Sequence, residues 1–340
     1  MRTTGRLRAA LGEAVAANRT VSEAAAAHRV SWPTVQRAVD QRAEQVLAEP
    51  GPVRQLGIDE TRYGTPRWIR DPDTGRWVRT DPWETGFVDL TGGQGLLGQA
   101  DGRTGRTVLD WLAARNQAFR DQIEIVAVDP SAPYAAAVRQ ALPHAAIAVD
   151  HFHLVLLANQ AVTAVRQRVT REHTGRRGRR TDPVWVNRRL LLRAGERLSG
   201  TAFRRMWNSC LDTDPAGQIL SAWIAKEQLR QLLGCAARGG HRHQISAALY
   251  EFYVWCADAN IDELTTLART VEAWWPAVLV FLHTGVTNAA TEGTNRLVKQ
   301  VKRTACGFRN RTNYRIRVRL HCTHNRTRMS ARATPLPAQR

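Results

Sequence analysis

Val53-Arg54-Gln55-Leu56-Gly57-Ile58-Asp59-Glu60 and, further along, Ile123-Glu124-Ile125-Val126-Ala127-Val128-Asp129 share one design. Each is a short run rich in apolar and β-branched residues that stops at an aspartate, the pattern of a buried strand. We read strands over 53–58 and 123–128, with Asp59 and Asp129 at their C-terminal ends, where open α/β sheets gather their ligands. If the two strands are neighbours, the carboxylates stand a few ångströms apart and repel each other unless a hard divalent cation neutralises them. Magnesium is the natural occupant. Two such ions about 4 Å apart activate an attacking oxygen and stabilise a leaving one, so paired aspartates point to phosphoryl transfer. Singly, each aspartate has a plainer reading: Asp59 as the cap of a turn, Asp129 as a local hydrogen-bond acceptor ahead of Pro130.

Working outward, 87–90 and 95–99 join 53–58 as three consecutive strands, separated by a turn-rich stretch that carries Trp68, Trp77 and Trp83. Helices over 107–116 and 132–141 alternate with the strands 123–128 and 145–149, which implies parallel pairing. From 151 to 284 the pattern is helical throughout, with arginine clusters at 176–180 and 188–197. A helix over 290–302 follows. There Glu292, Asn295, Lys299 and Lys302 recur at i, i+3, i+7 and i+10 on one face, beside an apolar stripe of Leu297, Val298 and Val301. An acid followed by cations suits a metal beside a phosphate. A solvated face with a glutamate in its first turn, where the helix dipole favours it, reads equally well. Asp150-His151-Phe152-His153 follows the last strand, but histidines at i, i+2 are poorly spaced for one helical face. Asp150 is therefore expected to cap the next helix and His153 to orient a neighbouring group.

Ahead of the first strand lie three short helical patterns, 6–17, 21–27 and 32–41. The second is read as opened by Ser22, with Glu23 in its first turn; the third is capped by Ser31, with Pro33 where its missing N–H does no harm. This is a tri-helical helix-turn-helix pattern. In such a fold the third helix enters the major groove, which nominates Thr34, Gln36 and Arg37 for base contact. A packing or dimerisation unit is the alternative. Glu49-Pro50-Gly51-Pro52 then makes a linker.

The chain has 340 residues, enough for two or three domains, and 49 Lys+Arg against 30 Asp+Glu give a formal net charge of +19. Such an excess favours a polyanion such as nucleic acid. Lysine occurs only at Lys226, Lys299 and Lys302, so part of the arginine bias fits a GC-rich bacterial genome. No acid follows Glu292. The arginine runs 176–180 and 315–319 either track phosphates or solvate a surface. Cys210, Cys235, Cys256, Cys306 and Cys322 form no CxxC pair, which argues against a zinc or redox motif. The opening residues do not read as a signal peptide and no apolar run approaches the ~18–20 residues of a membrane span, so a cytoplasmic, nucleoid-associated protein without membrane or small-molecule partners is expected.

Several motifs in this order carry a resemblance: Leu56-Gly57-Ile58-Asp59-Glu60, Val128-Asp129 with Pro133-Tyr134, Asp150-His151-Phe152-His153, Thr291-Glu292-Gly293-Thr294-Asn295, Lys302-Arg303 and Cys306-Gly307-Phe308-Arg309-Asn310. Together, over roughly residues 20 to 325, they resemble the DDE transposases of the ISL3 insertion-sequence family. The resemblance implies an α/β, ribonuclease-H-like (retroviral-integrase-like) mixed sheet with a large all-helical insertion, behind an all-α helix-turn-helix. The organisation it implies is a helix-turn-helix domain over 1–48, a first catalytic part over 49–154, an insertion over 155–285, a final catalytic helix with basic residues over 286–325, and a disordered basic tail over 326–340. Asp59, Asp129 and Glu292 become the catalytic, metal-holding triad for two magnesium or manganese ions. Asp150 and His153 match an acid-or-cysteine-x-x-His signature and become auxiliary. Thr34, Gln36, Arg37, Asn295, Lys299, Lys302, Arg303 and Arg309 become DNA contacts. The implied reaction is hydrolysis at the element's ends followed by strand transfer into target DNA, by a homodimer on double-stranded DNA. Family members usually carry a cysteine-rich zinc-binding segment at the N-terminus, and this chain reads as short there. A relic or regulator that binds DNA without cutting it is the main alternative, and a structure-selective nuclease or RNA-binding protein the third.

Overall fold

The computed structural model describes residues 4–333, with side chains described to residue 327. Two compact units emerge, one built from Met1–Ile147 with Asn288–Arg340 and the other from Ala148–Thr287.

The first unit opens with α1 (Gly5–Ala16), α2 (Val21–Ala27) and α3 (Trp32–Val46). The second helix starts at a capping box: Thr20 Oγ1 accepts from Glu23 N at 3.0 Å and the Glu23 carboxylate accepts from Thr20 N at 2.8 Å. Thr20, not Ser22, is thus the cap, because Glu23 falls three residues after it. Ser31 holds the cap position of α3, but its hydroxyl shares a hydrogen bond with Thr34 Oγ1 at 2.9 Å. That helix outruns 32–41 because its apolar face continues through Ala43 and Val46, which pack with Leu11, Val15, Ala24, Val35 and Val39.

Five strands form one mixed sheet: β1 (Gln55–Arg62), then, after a ribbon treated below, β4 (Trp83–Asp89), β5 (Leu96–Asp101), β6 (Ile125–Val128) and β7 (Ala146–Val149), in spatial order β5-β4-β1-β6-β7. The boundary between the units falls inside β7. β1 is antiparallel to β4 and parallel to β6, in register from Gln55↔Ile125 to Ile58↔Val128. The strand does not end before Asp59: it pairs with β4 as far as Arg62↔Trp83, since β4 offers backbone partners beyond the point where β6 stops. The stretch read as turns holds two short strands of its own, β2 (Arg67–Arg70) and β3 (Trp77–Thr80), joined as an antiparallel ribbon. Helices α4 (Gly105–Ala113), α5 (Gln117–Asp121) and α6 (Ala132–Ala141) intervene between the later strands. Trp111 of α4 stacks on Phe87 with ring centroids 3.8 Å apart.

The first unit closes with two helices, numbered α14 (Ala289–Thr304) and α15 (Arg311–Ala333) in chain order. Val298 and Val301 meet Val88 and Leu96 of the sheet and Tyr314 and Val318 of α15 in a second core. α15 also bridges to the helix-turn-helix. Leu320 completes its core, Arg317 Nη2 donates to Arg19 O at 2.6 Å, Arg319 Nη2 to Ala48 O at 3.0 Å, and His321 Nδ1 lies 2.9 Å from Ala16 O. Arg315 grips the fully buried Glu84 through two bonds of 2.9 and 3.0 Å. The arginines at 315, 317 and 319 are therefore engaged in joining parts of the fold, which corrects the reading of that run as a phosphate track: a buried carboxylate and helix-end carbonyls demand those charges. α15 runs on through 326–333, where a tail was expected; 334–340 lie outside the described residues.

The second unit is helical: α7 (His151–Thr174), α8 (Pro183–Leu191), α9 (Gly200–Thr213), α10 (Gln218–Leu233), α11 (Arg242–Ala259), α12 (Asp262–Ala273) and α13 (Trp275–Thr284). α10 is its central element, with Leu229 and Leu232 fully buried. Lys226, 1% exposed, donates to the carbonyls of Leu191 and Arg193 at 2.7 Å each and pairs with Glu227 at 2.8 Å. Burial holds its ammonium below the ordinary lysine value, against the pull of Glu227. Within the 176–180 cluster Arg176 pairs with Asp182 at 2.7 Å. Among the described residues no helix is long and apolar enough to cross a membrane.

Burial lowers the His321 imidazole below its ordinary 6.5, more than its bond to Ala16 O raises it. The unfolded chain therefore takes up the extra proton first, and stability that is intact above pH 6.5 drains away as pH falls through that value. Thermal unfolding of the wild type at pH 7.5 and 5.5 should show a drop in melting temperature that His321→Gln makes smaller.

Candidate active site

Ile58 and Val128 form the last parallel pair, and Asp59 and Asp129 are the next residue on each strand. Neighbouring strands lie about 4.8 Å apart. The two aspartates therefore stand side by side where parallel pairing ends, the first in mid-strand and the second at the strand's exit.

Helix α14 lies over this point because Gly57 leaves room for it. A Cβ at Gly57 would fall 2.1 Å from Thr291 Oγ1, 2.7 Å from Leu90 Cδ2 and 2.9 Å from Asn288 Oδ1. Two residues on, facing the same way, Asp59 Oδ2 accepts from Asn295 Nδ2 at 2.5 Å, and Lys302 Nζ donates to Arg62 O. Helix and strand keep step. Thr291 to Asn295 rises about 6 Å against about 6.6 Å from Gly57 to Asp59; Asn295 to Lys302 rises about 10.5 Å against about 10 Å from Asp59 to Arg62. α14 thus runs alongside β1 in the same direction.

The helical wheel then places the third acid. At about 100° per residue, Val298 and Val301 fall on the side that meets Val88 and Leu96, and Glu292 and Lys299 fall on the opposite flank of the Thr291–Asn295 line. In the strand order β5-β4-β1-β6, the flank away from β4 is the one toward β6 and Asp129. The Glu292 side chain is 62% exposed and pairs with Arg296 at 3.1 Å, and among the described residues the donor atoms of Asp59, Asp129 and Glu292 do not all lie within 4.8 Å of one another.

The remaining sequence-predicted residues divide by exposure. Lys299, Arg303, Arg309 and Arg37 are exposed, Lys302, Thr34 and Gln36 are half-buried, and Asn295 is buried. Gln36 Nε2 donates to Asp40 Oδ1 at 2.8 Å and Arg37 Nε to Pro33 O at 3.3 Å. Burial, with Arg62 and Lys299 nearby, holds the Lys302 ammonium below its ordinary value. Trp32 and Gln36 line a cavity of about 350 Å³ with Phe308, Arg309 and Asn310, so the start of the third helix opens toward the loop after α14. In the second unit, Asp150 caps α7, accepting from Phe152 N at 3.3 Å, and its other oxygen lies 3.0 Å from His153 Nδ1. His151 stacks on Phe281 at 4.6 Å; burial lowers its pKa although Asp150 pulls the other way.

Three supporting residues escaped the sequence reading. Asn288 Nδ2 donates to Ile58 O at 3.3 Å, just before Asp59. Tyr134 is buried, its hydroxyl 2.8 Å from Thr85 Oγ1; burial, with Glu60 and Asp59 close by, holds the phenol far above its ordinary value. Glu84 anchors α15. Only Tyr134, through its place in the Pro133-Tyr134 motif, left a trace to follow.

A family model described as a transposase matches residues 56–318, and a helix-turn-helix domain of transposase family ISL3 matches residues 2–43. The chain belongs to the ISL3 transposase family. It is 26% identical over 301 residues to the transposase for insertion sequence element IS1557 of Mycobacterium tuberculosis, covering 83% of this chain and 63% of that relative. It is 24% identical over 238 residues to the transposase for insertion sequence element IS1001 of Bordetella parapertussis, covering 70% of this chain and 56% of the relative. The chain thus spans roughly three-fifths of the length of these relatives. Both carboxylate-bearing strands and α14 lie inside the matched region.

Gly57→Ala is expected to push α14 off β1, destabilising the fold by about 1–3 kcal/mol, since Thr291 and Leu90 have to move. Urea unfolding followed by circular dichroism checks this.

Proposed function

We propose that this chain is a metal-dependent transposase that cleaves DNA strands at the ends of an insertion sequence and transfers them to target DNA. The observation that carries the reading is the adjacency of Asp59 and Asp129 on parallel-paired strands, under a helix that carries Glu292 on the flank toward them. The mixed sheet, with three antiparallel strands, then β6 parallel to β1 and β7 next to it, and a helical unit inserted before the last acid, supports a ribonuclease-H-like core.

The donor set fits magnesium or manganese. Carboxylate oxygens are the hard ligands these ions take, and the Asp59 carboxylate is held in place at the end of the parallel pairing by Glu60 N at 2.7 Å and by Asn295. Asp59, Asp129 and Glu292 would hold the ions. When bound, the pair supplies charge neutralisation and an activated oxygen to phosphodiester chemistry. The rest falls to the chain itself. Asn295 orients the Asp59 carboxylate. Glu292 turns inward as its pairing with the exposed Arg296 gives way, an ion pair worth little at the surface. Lys299, Arg303 and Arg309 meet the phosphates, and Thr34, Gln36 and Arg37 the base edges of the terminal repeats. Asp150 and His153 act in support, and the protein works as a dimer on duplex DNA.

The present outward pairing of Glu292 favours one competing reading, a protein that binds DNA without cutting it. A supercoiled plasmid carrying the chain's native flanking DNA, incubated with the protein and magnesium, separates the two. The wild type should nick or excise at the element ends. Asp59→Asn, Asp129→Asn and Glu292→Gln should each lose more than about 100-fold of that activity with binding intact, and Asn295→Ala about 10–100-fold, as for groups that orient a metal ligand. Binding without cleavage by the wild type gives the chain to the competing reading.

A further inference from the structure

The ribbon β2–β3 is unexplained by the triad. Its two strands have four residues each and pair only with each other in the sheet topology. Such a ribbon is marginal in water unless something packs on it. Trp68 and Trp77 are 63% and 67% exposed, and Ile69 and Val78 are 39% and 44% exposed. The register puts Trp68 opposite Arg79 and Arg70 opposite Trp77. Because side chains alternate, one face carries two tryptophans and two arginines, and the other carries Ile69 and Val78. Among the described residues neither tryptophan has a ring or guanidinium over its face. Trp83, at the ribbon's foot, contrasts with them, held by Arg62 at 4.7 Å and Arg103 at 4.3 Å.

The foot of the ribbon opens on a groove of about 830 Å³ between β1 and the loop after α14. Arg67, Lys302, Arg303, Arg309 and Tyr63 line it, and among the described residues no acid does. Asp81, close by, is already paired with Arg62 at 2.7 Å, and Asp71 in the ribbon's turn accepts from Asp73 N and Thr74 N. Cationic groove and uncovered tryptophans are thus continuous.

We propose that this ribbon and groove bind an unpaired stretch of a DNA strand, with phosphates along the groove and bases stacked on Trp68 and Trp77. Basic tracks with aromatic side chains suit single strands because every base has a π-face, whereas a paired base offers only its edges. The two tryptophans are diagonal neighbours, about 7–8 Å apart. Successive bases of an unpaired strand, ~3.4 Å apart when stacked and more when splayed, can reach both rings. The proposal rests on the reading of the chain as a DNA-processing enzyme and assigns that site a substrate feature: strands opened at or beside the cut.

The test uses the full chain in EDTA, so that no cleavage intervenes. Fluorescence anisotropy compares a labelled blunt duplex with the same duplex bearing a five-nucleotide single-stranded overhang, a length chosen as about the smallest single-strand site. The wild type should prefer the overhang by about tenfold or more. Trp68→Ala with Trp77→Ala should erase the preference and leave blunt-duplex affinity and thermal unfolding unchanged, while the double Phe variant keeps it. Equal binding of both DNAs by the wild type, or a preference that survives in the alanine variant, overturns the proposal. So does a preference lost together with a shift from dimer to monomer in sedimentation, which assigns the ribbon to contact between copies through Ile69 and Val78. A wild type that prefers the overhang yet cuts nothing in magnesium keeps the ribbon and loses the cleavage reading; one that cuts without preference does the reverse.

Discussion

α14 reaches the sheet only because β1 carries a hydrogen atom where any other residue type carries carbon. At Gly57 a single added carbon would overlap Thr291 Oγ1 and crowd Leu90. With that gap open, the helix settles along the strand and the matched rises of the two elements align Asn295 with Asp59 and Lys302 with Arg62. β6 brings Asp129 beside Asp59 through the parallel register that pairs Ile58 with Val128 just before them. The candidate site is therefore built from main-chain register on one side and one missing side chain on the other.

The charge of the chain divides along the same lines. Arg315, with Arg311 at 3.5 Å, neutralises buried Glu84, a carboxylate that could not stay charged there without such partners. Arg317 and Arg319 satisfy carbonyls at Arg19 and Ala48, binding the helix-turn-helix to α15. Among the cations left on the surface for a polyanion are Arg37, Lys299, Arg303 and Arg309, with the arginines of the β2–β3 ribbon. A net charge of +19 overstates the binding surface, because part of it is internal cement.

Much of this was legible beforehand. Apolar runs ending in Asp59 and Asp129 marked two strands because a buried parallel strand reads as a continuous hydrophobic stretch, while their adjacency stayed a condition until the sheet order supplied it. The 3.6-residue pattern marked α14 and put Asn295, Lys299 and Lys302 on one side, and the helices 21–27 and 132–141 were legible to their ends. What stayed hidden depends on partners distant in sequence. Asp59 falls inside β1 because of β4, Arg315 turns inward because of Glu84, and a four-residue ribbon has too few alternations to stand out from turns. The Glu292 side chain belongs here too: its flank follows from periodicity, while its contact with Arg296 depends on rotamer and solvent.

We propose that Asp59, Asp129 and Glu292 converge on one ionic site. Anomalous diffraction from crystals soaked in manganese tests it most directly. A manganese peak touching Asp59 and Asp129 is expected, with Glu292 swung off Arg296 toward it and the peak lost in Asp59→Asn. Manganese that binds without Asp59, or leaves Glu292 on Arg296 at full occupancy, would contradict it.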